Sequence, residues 1–188
     1  MFFERYNKHI IEEFAIRTIS KSFDLSYGMY VLPNETDNFD GISLDGSCAL
    51  EVTLVTSSNN MAGYEYEKLY AYGKRNLRTK HIKLSKLTPE GNLLQWQGGP
   101  IGEIVTKIQK AISIKNEKAK NRLLQNKYRC VDLCVCIDDG GWFDDESFKN
   151  INLDFDSCIF QNIFFITSHL FFRYTKKTGF EQYPRIIQ

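Results

Sequence analysis

Asp40 and Glu51 are the residues of this chain whose types and spacing best suit chemistry. Between them runs Leu44-Asp45-Gly46-Ser47, and Asp-Gly between two alternating runs is a strong hairpin signal. With Asp45 and Gly46 as the two turn residues, Leu44 pairs with Ser47, and counting outward sets Asp40 directly opposite Glu51. A four-residue loop leaves this pairing unchanged, whereas a three-residue loop displaces it by one position. Directly opposed side chains share one face with Cβ atoms roughly 4.5–5.5 Å apart, and like charges so placed destabilise the hairpin. Something must offset that repulsion. Solvent is one candidate, a nearby Lys or Arg another, and a divalent cation such as Mg²⁺, which favours carboxylate and carbonyl oxygen, a third. The other face of the second strand carries Cys48, Leu50, Val52 and Leu54, so the hairpin reads as core on one side and carboxylate on the other.

The elements that must position this pair follow from periodicity. Residues 4–23 repeat apolar side chains at helical spacing (Tyr6, Ile10, Ile11, Phe14, Ala15, Ile19) and predict a first helix. Short β-branched or alternating runs predict strands over 27–32, 39–44, 48–56 and 81–87, with a Tyr-rich helix over 61–77 between the last two. Gly98-Gly99-Pro100 opens a long helix with Ile101, Ile104, Val105, Ile108, Ala111 and Ile112 along one side. A continuous apolar run over 130–137 predicts a buried strand. After an acidic loop and a short helix near 146–151, strands follow over 158–167 and 169–174, with a turn at 176–179. The order predicts an α/β class with a mixed β-sheet flanked by helices. At 188 residues, with no linker, repeat or low-complexity segment, it also predicts a single domain over 1–188.

The first helix, the strand after it, Asn38-Phe39-Asp40-Gly41, Leu50-Glu51-Val52-Thr53, and the following helix and strand together resemble the core of the PD-(D/E)XK nuclease superfamily. The resemblance spans roughly residues 4–87 and rests on a short, degenerate motif. It implies a restriction-endonuclease-like αβββαβ core with C-terminal additions. It also implies a catalytic Mg²⁺ (or Mn²⁺) held by Asp40, Glu51 and the backbone carbonyl of Val52, with a first-helix carboxylate, Glu13 or its neighbour Glu12, completing the set. Where the family pattern expects Lys, this chain has Thr53, a neutral hydroxyl. The resemblance therefore implies a lysine supplied from the following helix, Lys68 or Lys74, with Lys68 taken as the catalytic one.

Other signals carry less. A composition of 43% hydrophobic and 25% charged residues is that of an ordinary globular protein. The net charge of +1 argues against nucleic-acid binding by bulk electrostatics and leaves room for a local basic face. Basic side chains cluster at 68–86, interleaved with Tyr64, Tyr66, Tyr70 and Tyr72, and again at 107–122; a solvated surface and amphipathic scaffolding are the ordinary readings. Isolated His9, His81 and His169 receive no catalytic role. The loop 138–145 has oxygen ligands and glycines but lacks EF-hand spacing. The five cysteines form neither a disulfide framework nor a zinc site by spacing, and reduced thiols predict a cytoplasmic setting. The sequence shows no signal-peptide pattern and no apolar stretch approaching the roughly 20 residues that span a bilayer.

The function expected is Mg²⁺-dependent hydrolysis of phosphodiester bonds in DNA or RNA, with nucleic acid as partner, no membrane, and homodimer formation left open. The alternative is a catalytically inactive protein of the same fold, a nucleic-acid-binding or protein-interaction module in a mobile-element or defence context, which the missing motif lysine favours. A globular domain with no site at the hairpin is the third reading.

Overall fold

The computed structural model describes residues 8–23, 30–31, 39–56, 101–123, 128–138, 155, 157–167 and 170–183. Within them, two helices flank a seven-stranded mixed sheet whose strands lie side by side in chain order. Helix α1 is Lys8–Ser22 and α2 is Ile101–Leu123; the strands are β1 Tyr30–Val31, β2 Gly41–Ser43, β3 Cys48–Thr56, β4 Cys130–Asp138, β5 Ile163–Ile166, β6 Phe171–Thr175 and β7 Gly179–Tyr183. β1, β2 and β3 form an antiparallel meander; β3, β4 and β5 run parallel; β6 and β7 return antiparallel.

Parallel strands covered on both faces are expected to read as continuous apolar runs, and β4 does so. Its odd positions Val131, Leu133, Val135 and Ile137 pack with Ile104, Ile108 and Ile112 of α2. Its even positions Cys134 and Cys136 pack with Ile11, Ala15, Ile16 and Ile19 of α1. β3 splits the same way: Ala49 and Val55 face α2, whereas Cys48, Leu50 and Val52 face α1. Ile108 is fully buried, and each such side chain contributes about 1.5–3 kcal/mol of transfer free energy.

The predicted hairpin register is borne out in its paired part, with Gly41 opposite Leu50 and Ile42 opposite Ala49. Gly46, at φ 68°, occupies the left-handed position that the Asp-Gly turn requires. Asp45 secures the turn by accepting hydrogen bonds from the Ser43 hydroxyl (2.6 Å) and the Ser47 amide (3.0 Å).

Several expectations change. The strand beside β3 is Cys130–Asp138, with β3 paired to it along its whole length; the predicted helix over 61–77 and strand over 81–87 lie outside the described residues. β5 begins at Ile163, not at 158; just before it Asn162 is held to β4 by Asp132, whose Oδ1 accepts both its backbone amide (2.9 Å) and its side-chain amide (3.0 Å). β7 adds a seventh strand after the predicted turn at 176–179. The cysteines also need correction. Cys48 and Cys130 are register partners with Cα atoms 4.9 Å apart and are joined as a disulfide, a pairing hidden in the sequence by a separation of 82 residues. Cys134 and Cys136 are buried thiols, as expected of small apolar core residues on this strand, and Cys158 is a buried thiol as well. No described helix is long and apolar enough to cross a membrane.

Candidate functional site

β2 stops at Gly41, and Asp40 completes the ladder with its own groups. Its amide donates to the Leu50 carbonyl at 3.0 Å, and its Oδ2 accepts the Val52 amide at 2.8 Å. The Val52 N–H therefore points to the β2 side of β3. Because the amide and carbonyl of one strand residue leave on the same edge, the Val52 carbonyl points that way too. Thr53, at the motif position, is half-buried and lines a pocket of about 210 Å³ with Lys8, Ile11, Glu12, Val52 and Leu54.

Glu51 extends from β3 on the α2 side and is 1% exposed; Asp40 is 8% exposed and reaches both helices. Two charges buried this deeply need partners. Helix α2 supplies them. Lys115 Nζ donates to Asp40 Oδ2 at 3.4 Å and to Glu51 Oε2, and Arg122 Nη1 donates to Glu51 Oε1. The Arg122 guanidinium also stands 5.9 Å from the centre of the Phe39 ring, a cation–π distance.

From the other side, α1 turns Glu12 inward. Glu12 is 5% exposed and lies four residues before Ile16 and seven before Ile19, on the apolar stripe of the helix. Lys8 Nζ bridges Glu12 Oε1 (3.0 Å) and Asp40 Oδ1 (3.2 Å). Glu13 falls on the outer side, half-exposed and ion-paired with Arg17. Of the two first-helix carboxylates, the structure brings Glu12 to Asp40 and leaves Glu13 outside.

The electrostatics divide the acidic pair. Burial pushes the Glu12 carboxyl up, against the hydrogen bond from Lys8. Burial also works to raise Asp40, but the Lys115 charge, the Val52 amide, Glu12 and Lys8 outweigh it, and Asp40 lies below the usual aspartate value. At mildly acidic pH, Glu12 thus holds a proton more readily while Asp40 stays ionised. Lys8 is correspondingly raised by its hydrogen bond to Glu12.

Asp40 thus accepts the Val52 amide at the edge of β3, shares Lys115 with Glu51 on the α2 side and shares Lys8 with Glu12, not Glu13, on the α1 side. Lys68 and Lys74 lie outside the described residues. Lys115 and Arg122 were missed as site residues, although α2 carries a signal for them. Ile104, Ile108, Ile112 and Ala119 mark its buried stripe; Lys115 falls three residues after Ile112 and four before Ala119, and Arg122 three after Ala119. A charged residue on a buried stripe requires a buried counter-charge.

Three carboxylates and a strand carbonyl are hard oxygen donors of the kind Mg²⁺ takes. As they stand, the described residues hold no group of three or more His, Cys, Asp or Glu that could grip an ion; the Lys115 ammonium lies between Asp40 and Glu51. The chain matches no protein-family model, no curated protein and no solved structure.

Proposed function

We propose that this chain is a Mg²⁺- or Mn²⁺-dependent nuclease with a PD-(D/E)XK-like core, hydrolysing phosphodiester bonds in DNA or RNA. The observation that carries this reading is Lys115, whose ammonium reaches both Asp40 and Glu51 from α2. It supplies, from a helix, the positive charge that Thr53 cannot supply from the strand. Asp40, Glu51 and the Val52 carbonyl would hold the ion, with Glu12 alongside. When bound, the ion would lower the pKa of a water and stabilise charge on the scissile phosphate. The chain's own part is orientation. Val52 fixes the Asp40 carboxylate by its amide, Arg122 holds one oxygen of Glu51, and Lys115 is placed to meet phosphate once it leaves the carboxylates.

The test is cleavage of supercoiled plasmid and of single-stranded DNA and RNA with Mg²⁺, Mn²⁺ or EDTA. Cleavage that needs the metal and is lost in Asp40→Ala, Glu51→Ala and Lys115→Ala supports the reading. Cleavage that survives these substitutions refutes the site.

One observation favours a second reading. Glu51 is matched by two cations of the chain itself, Lys115 and Arg122. A nuclease-fold module that binds nucleic acid or a protein partner and does not cut would keep such a network for its architecture. Salt-dependent binding to nucleic acid with no cleavage in any metal is its expected signature.

A further inference from the structure

The carboxylates of Glu12, Asp40 and Glu51 are met by three cations of the chain. Lys8 lies between Glu12 and Asp40, Lys115 lies between Asp40 and Glu51, and Arg122 holds the other oxygen of Glu51. Three positive charges therefore stand against three negative ones. A divalent ion added to such a set finds no net negative charge to draw it, and the nearest ammonium repels it. The oxygen donors suit Mg²⁺, but the charge balance does not. An ion gains a net attraction only where one of the cations gives way.

Geometry selects which one. Lys8 holds Asp40 by Oδ1 and is 75% exposed in its side chain, so solvent already screens it. Arg122 holds Glu51 by Oε1, and its guanidinium stands over the Phe39 ring. Of the three, Lys115 is the one that touches both Asp40 and Glu51, through Oδ2 and Oε2. Those are the two oxygens that a single cation can bridge, and its ammonium bridges them. The Lys115 side chain is 18% exposed, buried enough to act at short range and still reached by water. A lysine ammonium is a compact point charge on a flexible four-carbon stem, whereas a guanidinium is a rigid fork. Lys115 can therefore swing its charge outward while α2 stays in place.

We infer that Lys115 is a built-in counter-ion that competes with a divalent cation for the place between Asp40 and Glu51. The chain takes metal weakly while this ammonium stays and more tightly once it is gone. The inference rests on the metal-dependent reading above and adds regulation to it, since the position of one lysine side chain then sets metal occupancy. The two cations exclude each other by charge as well as by space. A unit charge and a divalent ion about 4 Å apart repel enough, even at the dielectric of water, to change affinity by roughly thirtyfold.

The test is Mn²⁺ binding to the full chain without nucleic acid, read from the loss of the free-ion EPR signal. Lys115→Met should bind Mn²⁺ at least about tenfold more tightly than the wild type. Lys115→Arg, which keeps the charge, should stay close to the wild type. Lys118→Met, exposed on the same helix, controls for loss of positive charge in general and should change affinity by no more than about threefold. Glu51→Gln in the Lys115→Met background should abolish the gain, because it removes one of the two carboxylates. Lys115→Gln, and the rise of melting temperature with Mn²⁺, keep the test open if Lys115→Met folds poorly; each should show a larger Mn²⁺ effect than the wild type. If the wild type, Lys115→Met and Lys115→Gln bind Mn²⁺ alike, or Lys118→Met gains as much, the competition is refuted while the metal-dependent reading stands. If no form binds Mn²⁺, that reading fails and the inference with it. Cleavage is a separate axis: tighter Mn²⁺ with unchanged cleavage in Lys115→Met removes Lys115 from hydrolysis and supports the competition.

Discussion

Lys115 Nζ lies 3.4 Å from Asp40 Oδ2 and also donates to Glu51 Oε2, so one ammonium from α2 ties together the two carboxylates at the open end of the hairpin. Removing one member of a buried ion pair strands the other, at a cost of about 3–5 kcal/mol. Arg122 still holds Glu51 and Lys8 still holds Asp40, so Lys115→Met is expected at the low end, about 3 kcal/mol. Urea denaturation measures it. In a Glu51→Gln background the same substitution should cost much less, since the charge it abandons is gone. Equal costs in both backgrounds would show that Lys115 acts by packing.

Glu12 and Glu13 should separate cleanly. Burial raises the Glu12 carboxyl, so as pH rises past the ordinary glutamate value the unfolded chain gives up its proton while the folded chain still holds it. Stability contributed by Glu12 is therefore present at low pH and lost as pH climbs through its folded pKa. Glu12→Gln should accordingly gain stability over the wild type on going from about pH 4 to pH 7, read from urea midpoints. Lys8, 75% exposed in its side chain, gives Glu12 little to lose. Glu13→Gln, on the outer side, should stay within about 0.5 kcal/mol at either pH. If Glu13→Gln moves more than Glu12→Gln, the orientation of α1 described above is wrong.

The hairpin was legible because its information is local. Asp45-Gly46 selects a turn, the turn fixes Gly41 opposite Leu50, and apolar alternation sets the core face. β4 was legible because a strand covered on both faces must be apolar throughout. Lys115 was not, because its role depends on where α2 crosses the sheet, 64 residues from Glu51. The choice between Glu12 and Glu13 needed the rotation of α1, one residue in phase, which neighbouring apolar positions leave ambiguous. The Cys48–Cys130 bond was hidden for a further reason: spacing arguments find cysteines close in sequence, whereas a parallel pairing brings together residues a whole crossover apart.

Asp45 should titrate well below the ordinary aspartate value. Its carboxylate accepts from the Ser43 hydroxyl and from the Ser47 amide and hydroxyl, which lower its pKa to about 2. The stabilisation is present above the ordinary aspartate value and lost as pH falls from there through about 2. Carboxyl-detected NMR titration should find its midpoint near that value. Asp45→Asn should flatten the acid limb of the stability curve between those limits without altering the neutral plateau's dependence on pH. A midpoint near the free aspartate value would mean that the turn's hydrogen bonds do not persist in solution.

Gly41 governs how closely α1 approaches the hairpin. A Cβ there would stand 3.3 Å from Ile16 Cδ1 and 3.4 Å from Leu50 Cβ. Ile16 Cδ1 is the end of a flexible chain, so Gly41→Ala should be absorbed at a cost of no more than about 1 kcal/mol. Gly41→Val adds two further methyl groups against the same helix, and overpacking of that kind costs about 1–3 kcal/mol. The cost should fall in an Ile16→Ala background, where the clashing atom is absent, and the double-mutant cycle measures the coupling. The site should respond as well. Pushing α1 outward draws Lys8 and Glu12 away from Asp40, two of the groups that hold its pKa down. The Asp40 carboxyl should therefore titrate higher in Gly41→Val than in the wild type. A destabilised Gly41→Val with an unmoved Asp40 would show that the helix contact supports the fold without positioning the carboxylates.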